Sequence, residues 1–284
     1  MRTTLGLLAA SLLLPLVPLP AAHADVPSAA GPSACGLAPL PPSPALTTLH
    51  DIVATGRGHL AAIGSSTTYG VGASDQAHRW VDRFMAGLAG RGYAVNPVTV
   101  GQLDPKAVLP QSRLTLVDAA VPGATAATPL IDPGAADPIA VNYLAAYLPG
   151  LLVARLTGQA PAIVIHMVGA NDYADGVAPA AYRAGLEAGA EEFPGAVQVF
   201  VGAYQDPGVT TGTHPWSAYG DAARAVAAED PRHRLFVDLA PWFEAAGIGQ
   251  GDPYGFVSPD GVHPTDVGHA AIAALVLRAL GYGC

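Results

Sequence analysis

Four short segments carry residue types suited to acyl transfer. Gly64-Ser65-Ser66-Thr67-Thr68-Tyr69-Gly70 offers hydroxyls directly after an apolar run, and Asp260-Gly261-Val262-His263 offers a carboxylate three residues before an imidazole. A serine hydroxyl is a weak nucleophile that needs an adjacent base, and the base needs a third group to orient it. With Asp260 and His263 at spacing i, i+3 just ahead of a helical stretch, the carboxylate can reach one ring nitrogen and leave the other for a serine. Between these segments lie Val121-Pro122-Gly123-Ala124-Thr125 and Gly169-Ala170-Asn171-Asp172. Charge developing on a carbonyl oxygen must be met by waiting donors, and a residue without Cβ lets a substrate come close to its backbone N–H. Taken singly, each segment also reads as an ordinary polar turn. Their joint occurrence, in this order, is the informative observation.

The elements that must position these residues follow from the hydrophobic pattern. Short β-rich runs at 60–63, 113–118, 162–168, 197–203 and 234–239 alternate with longer amphipathic or Ala-rich stretches at 76–90, 141–156, 179–192, 218–228 and 264–280. This alternation predicts an α/β fold, a parallel sheet of about five strands with helices on both faces. Ile163-Val164-Ile165 lacks alternation, as a strand buried on both faces should. Ser66 and Asn171 then fall at the carboxyl ends of strands, the edge where open α/β sheets bind ligands. Pro264 fits the first position of the last helix, which would make His263 its cap. Residues 93–100 read as an extra edge strand or the start of an insertion.

Together the four segments resemble the four blocks of the SGNH (GDSL-type) hydrolases, across nearly the whole stretch from Gly64 to His263. The family pattern Gly-Asp-Ser-x-Thr-x-Gly falls on residues 64–70, with Thr68 and Gly70 in register. That register puts the nucleophile at Ser66 and places Ser65 where the family carries aspartate. The resemblance implies a doubly wound, flavodoxin-like three-layer α/β/α domain, with Ser66, Asp260 and His263 as catalytic residues. It also implies an oxyanion hole made of the backbone N–H groups of Ser66 and Gly123 and the side-chain amide of Asn171. Asp172, one residue on, is expected to matter far less. No cofactor is expected. No second histidine or carboxylate cluster at zinc-like spacing accompanies Asp260 and His263, so no metal is expected either.

The implied reaction is hydrolysis of carboxylic esters through an acyl-serine intermediate. Short acyl chains are favoured, for example O-acetyl groups on carbohydrate, because the sequence shows no long apolar lid. The alternatives are a lipase or an acyltransferase on the same triad, or a catalytically silent cell-envelope binding module. The Gly-x-Ser-x-Gly elbow of the α/β-hydrolases is absent. Tyr204, Trp216, Trp242 and Tyr254 are candidates to line the substrate pocket. His166, inside an apolar strand, reads as a buried structural histidine, and His269, inside the last helix, as structural or solvent-facing.

Bulk properties fix the setting. Of 284 residues, 51% are hydrophobic and 12% charged, enough apolar material for a core and too little charge for a disordered chain. Thirteen basic against 22 acidic side chains give a net charge of -9, which argues against nucleic acid or an anionic membrane as partner. The expected partner is a small-molecule or polysaccharide ester, and the expected state a monomer. Residues 1–24 read as an export signal, with Arg2, an apolar run broken by Pro15, Pro18 and Pro20, and Ala22-His23-Ala24 as the cleavage site. A Pro/Ala-rich leader at 25–44 and a single domain at 45–284 would follow, with no stable membrane anchor. In an exported chain the cysteine pair, Cys35 and Cys284, favours a disulfide over two free thiols.

Overall fold

The strand that leads to Ser66, His59–Gly64 (β1), is buried along its whole length, which demands partners on both edges and cover on both faces. The computed structural model, which describes residues 33–101, 104–107, 109–128, 142–144, 147–205, 207–208 and 212–283, supplies both. Val100–Gly101 (β2), Thr115–Asp118 (β3), Ile163–Met167 (β4), Val197–Gly202 (β5) and Arg234–Asp238 (β6) join β1 in a six-stranded sheet of order β2-β3-β1-β4-β5-β6. Every pairing is parallel. Without the two-residue β2 the order is that of flavodoxin-like sheets, and the winding reverses between β1 and β4. Ser66 and Asn171 follow these two strands.

The helices in chain order are Pro44–Thr55 (α1), Ser66–Tyr69 (α2), Trp80–Gly90 (α3), Leu148–Leu156 (α4), Ala170–Ala174 (α5), Pro179–Glu191 (α6), Ser217–Glu229 (α7), Ala240–Ala245 (α8) and Asp266–Ala279 (α9). The side chains of β1 alternate between two cores: Leu60 and Ala62 pack with α1, α3, α8 and α9, whereas Ala61 and Ile63 pack with α4, α6 and α7. The sheet is therefore sandwiched as expected. Among the described residues no helix is long and apolar enough to cross a membrane.

The sixth strand, β2, lies at the sheet edge and starts at the end of the 93–100 stretch read from sequence as an extra edge strand or the start of an insertion, where Val95 also bridges Leu114. Two details differ from the sequence reading. Helix α1 is an additional element, started by Ser43, whose hydroxyl accepts the Leu46 N–H at 3.2 Å, with Pro44 in the first turn. The last helix begins at Asp266, and Thr265, not His263, is its cap, accepting the Gly268 N–H at 3.3 Å. The reason is a pairing with an earlier segment: Pro264 bridges Val257 and the Thr265 N–H donates to Phe256 O at 2.8 Å, which keeps this stretch extended. Threonine is also much the better cap.

Upstream of α1 the chain lies against α9, with the Leu40 N–H donating to Ala279 O at 2.8 Å and Arg278 donating to Leu37 O at 2.9 Å. The expected signal at 1–24, most of the leader at 25–44, and Cys284 lie outside the described residues.

Candidate active site

At the end of β1 the chain turns sharply into α2. Ser65 is extended and Ser66 is the first helical residue. The carbonyl of Ser66 accepts N–H groups from Gly70 and Val71, both at 3.0 Å, and the Thr68 hydroxyl donates to Met167 O at the end of β4 at 3.4 Å. The first N–H groups of a helix have no partner within it, so the backbone N–H of Ser66 remains available to a ligand.

The candidate base, His263, comes from the loop before α9. Nδ1 of His263 lies 2.8 Å from Oδ2 of Asp260, while Oδ1 accepts the Ser258 hydroxyl at 2.5 Å and the N–H groups of Val262 and His263 at 2.8 and 3.0 Å. Burial pulls the Asp260 carboxyl towards a higher pKa. The hydrogen bonds from Ser258, His263 and the two backbone N–H groups outweigh it and hold the group well below the usual carboxylate range. Asp260 thus stays ionised against Nδ1–H, and Nε2 is the ring nitrogen left over.

The loop after β3 brings the third part. Val121 donates to Gly64 O at 3.0 Å, which lays the loop beside β1, and Ala124 N–H closes a turn on Val121 O at 3.1 Å. Pro122 and Gly123 occupy its centre, and Gly123 has φ of 80°, the conformation that favours glycine in a type II turn. No atom stands within 4 Å of where a Cβ of Gly123 would be. Asn171, in α5, donates from Nδ2 to Ala124 O at 2.8 Å; an amide nitrogen carries two hydrogens, so one remains.

Ser66, Gly123, Asn171 and His263 line one cleft of about 340 Å³, whose walls include Val71 and Pro122. Asp260 stands behind the imidazole. Ser66, Gly123, Asn171 and His263, scattered over the sequence from position 66 to 263, converge on this cleft. The model of the GDSL-like lipase/acylhydrolase family matches residues 62–271, a span that contains all of them. The chain belongs to this family. It is accordingly a carboxylic ester hydrolase.

Solved structures in this fold include TesA, with TM-score 0.54 and 24% identity over 79% of this chain and 98% of that one. A two-domain esterase active on acetylated mannans gives TM-score 0.53 and 16% identity, covering 84% of this chain and 52% of that one. A catalytic mutant of Axe2, an acetylxylan esterase from Geobacillus stearothermophilus, gives TM-score 0.52 and 20% identity over 79% and 94% of the two chains. Among proteins of curated function, none matches the sequence.

Other features of this acylhydrolase depart from the sequence reading. Asp172 is fully buried, and its carboxylate accepts N–H groups of Ala126 and Ala127 at 2.9 to 3.1 Å. Burial raises its pKa despite these donors. It anchors the far side of the Gly123 loop, a structural role that the sequence reading did not assign to it. Of the aromatic candidates, Trp216 lines a cavity of about 520 Å³ that shares Thr67 and Ala170 with the cleft. Tyr204 packs on Phe243 in the core, and Trp242 and Tyr254 pack on Phe256.

The two histidines are structural. His166 is buried between Tyr143 and Gln198, at 3.3 and 3.1 Å, and burial pushes its pKa down to about 3. His269 is buried too, accepting the Trp80 N–H at Nδ1 and donating from Nε2 to Val71 O. Burial lowers its pKa to about 4, which suits this neutral tautomer.

Proposed function

We propose that this acylhydrolase is a serine esterase that uses Ser66, His263 and Asp260 to hydrolyse short-chain carboxylic esters, O-acetyl groups on carbohydrate in particular. The observation that carries this reading is the cleft in which Ser66, Gly123, Asn171 and His263 meet in front of Asp260. Ser66 Oγ attacks the ester carbonyl carbon as its proton passes to His263 Nε2. The carbonyl oxygen takes the electron pair, and the N–H groups of Ser66 and Gly123 and the amide of Asn171 stabilise it. Collapse expels the alcohol, which leaves with the proton held by His263. Water, deprotonated by the same nitrogen, then releases the acid from Ser66.

Support for a short acyl group comes from the modest volume of the cleft, while the adjoining cavity beside Trp216 offers room for a bulkier alcohol part. The structures of similar fold also include esterases named for acetylated mannans and acetylxylan. On a series of p-nitrophenyl esters, kcat/KM should be highest for the two-carbon acyl group. A higher value on twelve carbons would make the protein a lipase instead.

If the Asn171 amide serves the oxyanion, Asn171→Ala should lower kcat by about 10² to 10³ with little change in KM. Its bond to Ala124 O also holds the Gly123 loop, so thermal melts belong beside the kinetics. A near-wild-type kcat together with a lowered melting temperature would leave Asn171 only that holding role.

The amino-terminal sequence supports export with cleavage after Ala24. Ala34 and Gly283, the chain neighbours of Cys35 and Cys284, line one cavity, which supports a bond between the cysteines that would stabilise the fold by up to about 5 kcal/mol. Intact mass of the exported protein should correspond to a chain starting at Asp25 and lacking both thiol hydrogens. A retained Met1 would refute export processing, and alkylation of both cysteines in unreduced, denatured protein would refute the bond.

A further inference from the structure

The oxyanion hole proposed above joins two separate segments, and its two backbone N–H groups can serve one oxygen only if their separation is fixed. Ser65, in the position of the family's aspartate, brings no charge to the nucleophile turn. A charged group reaches this turn from elsewhere: Arg79, just before α3. Nη1 of its guanidinium donates to Tyr69 O at 3.3 Å, three residues after the nucleophile, and to Oδ2 of Asp118 at 2.6 Å. Nε donates to Oδ2 of Asp82 at 2.7 Å and Nη2 to the Thr99 hydroxyl at 2.6 Å. Asp82 in turn accepts the Thr99 N–H and hydroxyl, each at 2.9 Å, so the guanidinium is held from several sides.

The stem is fixed as well. Gly70 has φ of 99°, and a Cβ there would stand 2.2 Å from Arg79 Cδ; the turn and the arginine fit only because that atom is absent. Asp118 is the last residue of β3, and its Oδ1 accepts the Ala120 N–H at 3.2 Å at the start of the loop that carries Gly123. Burial lifts the Asp118 carboxyl to about 6, against the pull of Arg79 and with a smaller push from Asp82. Arg79 is the cation that offsets this buried charge.

We propose that Arg79, acting through Tyr69 and Asp118, is a positioning residue that sets the separation of the Ser66 and Gly123 N–H groups in the oxyanion hole. This rests on the serine-esterase reading of the cleft. The arginine is not among the residues that line the cleft. It ties the turn presenting the nucleophile to the strand end that launches the opposing loop, and Asp172 holds that loop at its other end.

The test is steady-state hydrolysis of p-nitrophenyl acetate by Arg79→Gln, with Ser66→Ala alongside. Displacement of catalytic groups by about 1 Å can cost about 10² in rate, and a fall of that order in kcat with KM nearly unchanged is expected for Arg79→Gln. In Arg79→Ala, millimolar methylguanidinium should restore part of the lost kcat at concentrations that leave the wild type unaffected. A folded Arg79→Gln protein with wild-type kcat, a loss confined to KM, or the absence of rescue would each overturn the proposal. Should Arg79→Gln not fold, Asp118→Asn decides: lowered kcat in a folded protein is expected, and an unchanged kcat refutes the role. An active Ser66→Ala protein would instead sink the serine-esterase reading itself. A silent Ser66→Ala beside an intact Arg79→Gln would sink only the role of Arg79.

Discussion

Ser66→Ala should lower kcat by about 10⁶, the scale on which losing the nucleophile of a comparable triad acts. KM for the ester should change little, because the walls of the cleft are untouched. The choice between adjacent serines is the part at risk. Ser65 is 4% exposed and lines the neighbouring cavity, whereas Ser66 lines the cleft that also holds Gly123, Asn171 and His263. A fluorophosphonate probe, which needs an activated serine, should therefore label the wild type and Ser65→Ala but not Ser66→Ala. Labelling of Ser66→Ala with loss of labelling in Ser65→Ala would shift the register by one residue and remove the proposed oxyanion N–H with it.

Asp260→Asn should cost about 10⁴ in kcat, the scale of a triad histidine left in the wrong tautomer. The structure gives a reason to expect the wrong one. Oδ1 accepts three donors, from Ser258, Val262 and His263, and only an oxygen can occupy that position. An asparagine must then turn its amide nitrogen towards His263 Nδ1, donating where the carboxylate accepted. The ring is forced to carry its proton on Nε2, where it cannot take one from Ser66. Because the shape is conserved, the melting temperature should move far less than the rate. An Asp260→Asn protein within tenfold of the wild-type kcat would mean that Asp260 does not orient the base.

The parts of the site legible from sequence were contiguous. A nucleophile turn, a Pro-Gly turn and a carboxylate three residues from a histidine each occupy one short segment whose meaning survives without knowing its neighbours. Arg79 and Asp118 carried no such signal, since each is a single charged residue whose partners, at positions 69, 82, 99 and 120, are chosen by the fold. Asp172 sat inside a legible segment, but its partners at 126 and 127 are likewise chosen by the fold.

The same division runs through the elements. The five longer strands announce themselves as apolar runs, whereas β2 spans two residues. The start of α1 is marked by Ser43 and Pro44, but the prolines around it make the stretch read as leader. Pro264 looked like a helix start because proline suits that position, and the extended pairing with Val257 that displaces the start to Asp266 lies outside any local pattern.

Ser66 and His263, the proposed nucleophile and base, stand on ground of unequal permanence. β1 lies between β3 and β4 with all of its residues buried, so its amide hydrogens should exchange with solvent only when the whole sheet opens. The segment that carries the base is a loop whose Asp260 side chain is 49% exposed, held mainly by hydrogen bonds within its own few residues. Such a segment can open at a small fraction of the global unfolding free energy. With His263 as the proposed base, mild stress should then inactivate the enzyme reversibly, through local opening at residues 258–263 in a protein that stays folded and keeps Ser66 in place.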